Sequence, residues 1–260
     1  NLVSADYVTG WVSAYIGIRR GSHDSQKLVD AIGELNRSSE LARSAWSQGT
    51  PVRKDLSDMM SLLGEAYLEL GEIEKGQIAL TDAIELGEDS HQLLARAKNN
   101  QGFADILRAD FGPKRERRKH LTHSVQKHLE AANYAISAGD WRELAIIENN
   151  LGSLFERLGD LASARRHYLA ALSLIDERDD PLRARVLFQN LGHIYQYLGD
   201  YSKSRSFLKE ALKIAGSETP HISARLHCRI GSTMRLLGEP SNAIAHHKVC
   251  AKVAGDIQNA

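Results

Sequence analysis

One short phrase recurs through this chain at a spacing near forty residues: Leu63-Gly64, Leu151-Gly152, Leu191-Gly192 and Ile230-Gly231. Seven positions after each glycine stands a second one, at Gly71, Gly159, Gly199 and Gly238. A fixed period of that size implies supersecondary units that stack on one another, each touching only its neighbours, instead of one globular core. With Gly102 as a further anchor, the successive gaps are 38, 50, 40 and 39 residues.

Within each copy the order is constant. The third reads Leu151, Gly152, Phe155, Gly159-Asp160, Ala164, Tyr168 and Ala171; the fourth reads Leu191, Gly192, Tyr195, Gly199-Asp200, Ser204, Leu208 and Ala211. The first runs Leu63, Gly64, Tyr67, Gly71-Glu72, Gly76, Leu80 and Ala83. A glycine inside an apolar-periodic helix costs about 1 kcal/mol against alanine, so it is retained where a second helix must approach the backbone. The later glycine ends the helix in a left-handed conformation. The acid after it favours the start of the next helix by capping or by its charge. Pro181, Pro220 and Pro240 stand where helices should begin, the one helical position that suits proline.

This order of Leu-Gly, aromatic, Gly-Asp, small, bulky and small resembles the tetratricopeptide repeat, a helix–turn–helix unit. The spacing near forty is similar to the long-helix variety found in Leu-Gly-Asn-rich polarity adaptors, kinesin light chains and the sensor arms of large signalling ATPases. The resemblance covers about 55–255 and implies an all-α, right-handed superhelical solenoid of about six antiparallel hairpins. Residues 1–50 are expected to form an atypical capping hairpin, roughly Ser4–Arg19 and Ser25–Trp46, because terminal repeats are often atypical. Residues 51–260 are expected to hold five copies of the repeat. In the second copy, Asp110-Phe111-Gly112-Pro113 replaces the tight turn and the matching small residue is placed at Ala132, eleven positions late. An insertion near 110–121 is therefore expected, as a longer turn plus a lengthened helix over about 115–137. A start at Asn1 and a last repeat without a polar cap suggest a fragment of a longer protein.

The composition excludes several classes. Lys+Arg and Asp+Glu are both 33, so no bulk charge calls for nucleic acid or an anionic membrane. No apolar run is long enough to span a bilayer. Two cysteines, Cys228 and Cys250, make no disulfide framework and point to a reducing, cytoplasmic setting. No phosphate loop, dinucleotide fingerprint, His-Glu-x-x-His, nucleophile elbow or Cys-x-x-Cys is present. No catalytic residue, cofactor or metal is expected. His246 and Cys250 could share a helix face toward a metal, but Cys250 falls at the small packing position of Ala83, Ala171 and Ala211. His120, His123 and His128 are read as solvated surface. The run Lys114-Arg115-Glu116-Arg117-Arg118-Lys119 has no interleaved aromatics, which disfavours nucleic acid and leaves a solvated helix start or a contact with an acidic neighbouring domain.

The resemblance places the residue two before each repeat glycine in the concave groove. Those residues are Asn100, Asn150, Asn190 and Arg229, with Leu62 breaking the series. A carboxamide both donates and accepts, so a ladder of them can hold the backbone of an extended peptide. Neighbouring positions Arg157, His193, Gln196, Tyr197, Arg225 and Arg235 would supply selectivity. Arg225 and Arg229 stand one turn apart as a fork for a carboxylate. Alternatively, the asparagines satisfy backbone groups within the stack. Two functions follow as expectations. One is a non-enzymatic interaction scaffold binding an extended or helical segment with acidic groups. The other is a regulatory sensor arm of a larger signalling ATPase, transcription activator or protease, with an intramolecular partner domain.

Overall fold

The computed structural model describes residues 25–216 and 220–258. Among them are eleven α-helices and no strand: α1 (Ser25–Ser47), α2 (Arg53–Glu69), α3 (Ile73–Leu86), α4 (His91–Phe111), α5 (Arg117–Ala138), α6 (Trp141–Leu158), α7 (Leu161–Ser173), α8 (Pro181–Tyr197), α9 (Tyr201–Ala215), α10 (Pro220–Leu236) and α11 (Pro240–Gln258). A short 3-10 turn, Lys114–Glu116, precedes α5. From α2 onward the helices pair as antiparallel hairpins, as expected of the all-α solenoid class. The first helix expected of the N-terminal hairpin, Ser4–Arg19, lies outside the described residues; the second is α1.

The chain divides into two compact units, one up to Glu143 and one from Leu144. In the first, Leu35, Leu56, Met59, Leu62, Leu68 and Leu80 are buried together. In the second, Phe188, Leu208, Leu226 and Ile230 form one cluster, and Tyr168, Leu187, Leu191 and Ile194 another. Burying these side chains is the main force holding the hairpins together within each unit.

The repeat glycines explain the phrase. A Cβ on Gly64, Gly152 or Gly192 would lie 2.5, 2.6 or 2.6 Å from the side chain of Leu80, Tyr168 or Leu208 respectively. Each glycine is thus the floor on which the bulky residue sixteen positions later rests. The second glycines, at 71, 159, 199 and 238, all have φ between 76° and 87°, the left-handed cap anticipated from spacing. Asp160, Asp180 and Asp200 then accept hydrogen bonds from the backbone N–H of Ser163, Arg183 and Lys203 at 3.0, 3.0 and 3.1 Å. Pro181, Pro220 and Pro240 begin helices.

The second copy departs from expectation in three ways. Its extra length is not chiefly in the turn. Helix α4 runs nine residues beyond Gly102, where α2, α8 and α10 stop five beyond their glycines, and α5 starts seven before Ser124, where α9 starts three before Ser204. Both helices have therefore gained about a turn. The register offset is also ten residues, not eleven. Ser124 donates to the Gly102 carbonyl at 2.8 Å just as Ser204 does to Gly192 at 2.7 Å. The small buried residue in register is therefore Ala131, and Ala132 is its neighbour. Finally, His128 is not solvated surface. It is fully buried and packs on Gly102 in the place of Leu80, Tyr168 and Leu208. Its Nδ1 donates to the Ser124 carbonyl at 2.8 Å, and Nε2 is buried without a partner. Burial holds this imidazole neutral, its pKa lowered to about 4 against the pull of that hydrogen bond and of Asp105.

The cysteines require a correction as well. Cys228 on α10 and Cys250 on α11 form a disulfide, with Cα atoms 5.4 Å apart. Cys250 is buried at the small packing position, as expected, but that position faces Cys228. Unpaired thiols therefore no longer argue for a reducing compartment. Among the described residues, no helix is long and apolar enough to cross a membrane, and no cluster of three or more His, Cys, Asp or Glu side chains could hold a metal ion.

Candidate peptide-binding groove

In the second unit α6, α8 and α10 are the first helices of consecutive hairpins, and two clefts open beside α6 and α8. One cleft, of about 490 Å³, is lined by Ile146 and Asn149 of α6 and by Leu182, Arg185 and Val186 of α8. A second, of about 450 Å³, is lined by Ser153, Glu156 and Arg157 of α6, Leu161 at the start of α7, and Tyr197 of α8. Tyr197 is 61% exposed, a large aromatic surface left open beside the cleft.

The carboxamide ladder is only partly available. Asn190 donates from Nδ2 to Asn149 Oδ1 at 3.1 Å, so it ties α8 to α6 within the stack. Asn150 is half-buried on α6. Asn100 is half-buried on α4, in the first unit, and its Nδ2 is buried without a partner. Gln189, one position before Asn190, likewise buries an unpartnered Oε1.

The charged positions converge more closely. His193 on α8 lies 2.9 Å from Glu156 Oε1, and the Tyr168 hydroxyl donates to Glu156 Oε2 at 3.1 Å. The His193 and Tyr197 rings are 4.5 Å apart, centroid to centroid. Burial raises the Glu156 carboxyl, but His193, the Tyr168 hydroxyl and the Arg229 charge outweigh it and leave the group below its usual range. Arg229 is held below the usual guanidinium range by burial and by Arg225, which Glu156 and Tyr197 only partly offset. Arg185 is depressed for the same two reasons, burial and Arg225. Arg225 thus repels both Arg185 on α8 and Arg229 on its own helix, and of the three only Arg229 is offset by Glu156, a carboxylate that is already engaged. Like charges held together in this way are relieved by an anion.

Arg157 lines the second cleft, and Gln196 is half-buried near the end of α8. Arg235 is exposed in the last turn of α10. Sequence reasoning missed Arg185, Glu156 and Asn149. Asn149 had a signal: it stands three before Gly152, where Gln189 and Cys228 stand before their own glycines. Arg185 had none, because it holds no equivalent place to Arg225 in the repeat.

A stack of hairpins with an open row of first helices defines a helical-repeat interaction protein. Tetratricopeptide repeat sequence models match residues 57–89, 143–217 and 182–254, and the chain belongs to the tetratricopeptide repeat family. As such it is a protein-interaction scaffold. Among solved structures, BtubC (BKLC) from P. vanneervenii is similar at a TM-score of 0.72 and 19% identity, over 90% of this chain and 93% of that one. The apo form of RapI is similar at 0.65 and 10%, over 98% and 99%. A signal transduction ATPase with a tetratricopeptide repeat sensor, from Pyrococcus horikoshii, is similar at 0.63 and 14%; the likeness covers 99% of this chain but 44% of that one. No curated protein matches the sequence.

Proposed function

We propose that the second unit binds an extended or helical protein segment carrying acidic groups, along the open side of α6, α8 and α10. The observation that carries this reading is Arg185 in the lining of the first cleft, with Arg225 repelling both it and Arg229, and the exposed Tyr197 at the second cleft. Arg225 and Arg229, one turn apart on α10, present a fork to a carboxylate. Val186, Ile146 and Leu182 offer the apolar part of the contact, and Tyr197 an amphipathic anchor of the kind that concentrates binding energy. The carboxamides take a smaller share than their spacing suggests, because Asn190 is engaged by Asn149. The scaffold is read as non-enzymatic, with residues 51–260 as the repeat array and 1–50 as its cap.

Selection of twelve-residue peptides from a random library on the intact chain tests this. Enriched sequences should be rich in Asp and Glu, and Arg225→Ala with Arg229→Ala should weaken their binding at least about tenfold, the loss of one charge-assisted pair, with the melting temperature unchanged. Peptides no more acidic than the library, or equal binding to the double variant, would overturn the reading.

The second reading, a sensor arm of a larger signalling protein, is favoured by the likeness to the sensor-bearing ATPase over 99% of this chain. It predicts that the acidic segment lies in the same polypeptide. The complete reading frame decides it: an effector domain beside the array supports the reading, and a frame holding only the array contradicts it.

A further inference from the structure

The lengthened second hairpin carries a basic run, Lys114–Lys119, remote from the proposed groove in sequence. Over residues 105–119, six cationic side chains meet three acidic ones on a chain whose overall formal charge is zero. Along α4 and α5, reaching into their added turns, lies an open cleft of about 800 Å³. Asp105 and Arg108 line it from α4; Arg118, Lys119, His120 and His123 line it from α5.

Its floor is charge-balanced and fixed. Asp105 is 2% exposed. Its Oδ2 lies 2.8 Å from His123 Nδ1, and its Oδ1 lies 3.4 Å from Arg108 Nη1. Arg108 is further tied to Glu74, at 3.5 Å, and to the Gln77 side chain on α3. One buried carboxylate therefore accepts a hydrogen bond from the arginine and lies close to the histidine without bonding to it. The rim is not balanced: Arg118 and Lys119 are exposed, and no carboxylate among the described residues pairs with either. His120 reaches Glu116 at 3.6 Å. No Phe, Tyr or Trp side chain lines the cavity.

We propose that this cavity binds a small molecule bearing phosphoryl groups, with Arg118 and Lys119 as its principal ligands and His123, beside Asp105, completing the cradle. A compact polyphosphate matches several convergent cations better than one carboxylate does, and arginine presents a fork suited to phosphate oxygens.

Calorimetric titration of the intact chain with inorganic pyrophosphate at fixed ionic strength tests this. One saturable site per chain is expected. Arg118→Ala with Lys119→Ala should weaken it at least tenfold. Removing two other exposed cations, by Arg165→Ala with Arg166→Ala on α7, should leave it unchanged, and circular dichroism melting should show both variants folded. The absence of saturable heat, or equal weakening by the two double variants, would overturn the proposal. So would sedimentation with phosphatidylserine vesicles that depends on Arg118 and Lys119 while pyrophosphate does not bind. Failure here leaves the groove reading untouched, since the two sites share no residue.

Discussion

Single positions in this chain have opposite tolerances that depend on what a methyl group would meet. At Gly152 an added Cβ would lie 2.6 Å from the Tyr168 ring. Gly152→Ala should therefore destabilise by about 1–3 kcal/mol despite its better helix propensity, because overpacking outweighs the gain. At Gly33, inside α1, an added methyl group would meet nothing within 4 Å. Gly33→Ala should stabilise by about 0.5–1 kcal/mol. Chemical denaturation of both variants checks the pair. His128 makes a sharper case. Its folded pKa of about 4 lies below the ordinary 6.5, so between those values the unfolded chain binds the proton and the folded one does not. Its contribution is fully kept above about pH 6.5 and declines as the pH falls toward about 4, by up to about 3 kcal/mol. His128→Leu, which copies Leu80 and Leu208, should flatten that part of the stability–pH curve. An unchanged slope would contradict the assignment.

At the scale of elements, helix ends and cross-links set how firmly each hairpin is held. Asp180 caps α8 through the Arg183 N–H at 3.0 Å; Asp180→Ala should cost about 1 kcal/mol in the same denaturation assay. The Cys228–Cys250 bridge joins α10 to α11 across a separation of 22 residues. Closing a loop of that size is worth about 3 kcal/mol in the chain-entropy picture. Unreduced protein should show no titratable thiol when unfolded, and a reductant should lower the melting temperature. Two free thiols would refute the bridge.

The elements also show what was readable beforehand. Helix ends were legible because Gly-Asp and proline act locally, as at Gly159-Asp160 and Pro181. The bulky residue on each glycine was legible because a fixed offset repeats, as with Gly192 and Leu208. The second hairpin was not, because both helices lengthened together. A search for one small residue stopped at Ala132, and His128 looked solvated when its place is the core. The disulfide was illegible for a related reason: a pair bridging two helices of one hairpin has no local sequence signature.

At the scale of the whole molecule, the chain's neutrality conceals two cationic regions, one in each unit: the rim around Arg118 and Lys119, and the cluster of Arg185, Arg225 and Arg229. The equivalent repeat positions of Asn150 on α6 and Asn190 on α8 were legible, but the partners of those side chains were not. Whether a carboxamide is free depends on a neighbouring hairpin, as Asn149 does for Asn190. The central claim is that the open side of α6, α8 and α10 receives an acidic segment. Hydrogen exchange on the intact chain, with and without a selected acidic peptide, tests it most directly. The account predicts slowed exchange in α6, α8 and α10, lost in the Arg225→Ala, Arg229→Ala double variant. Protection confined to α7 and α9, or to helices before residue 144, would contradict it.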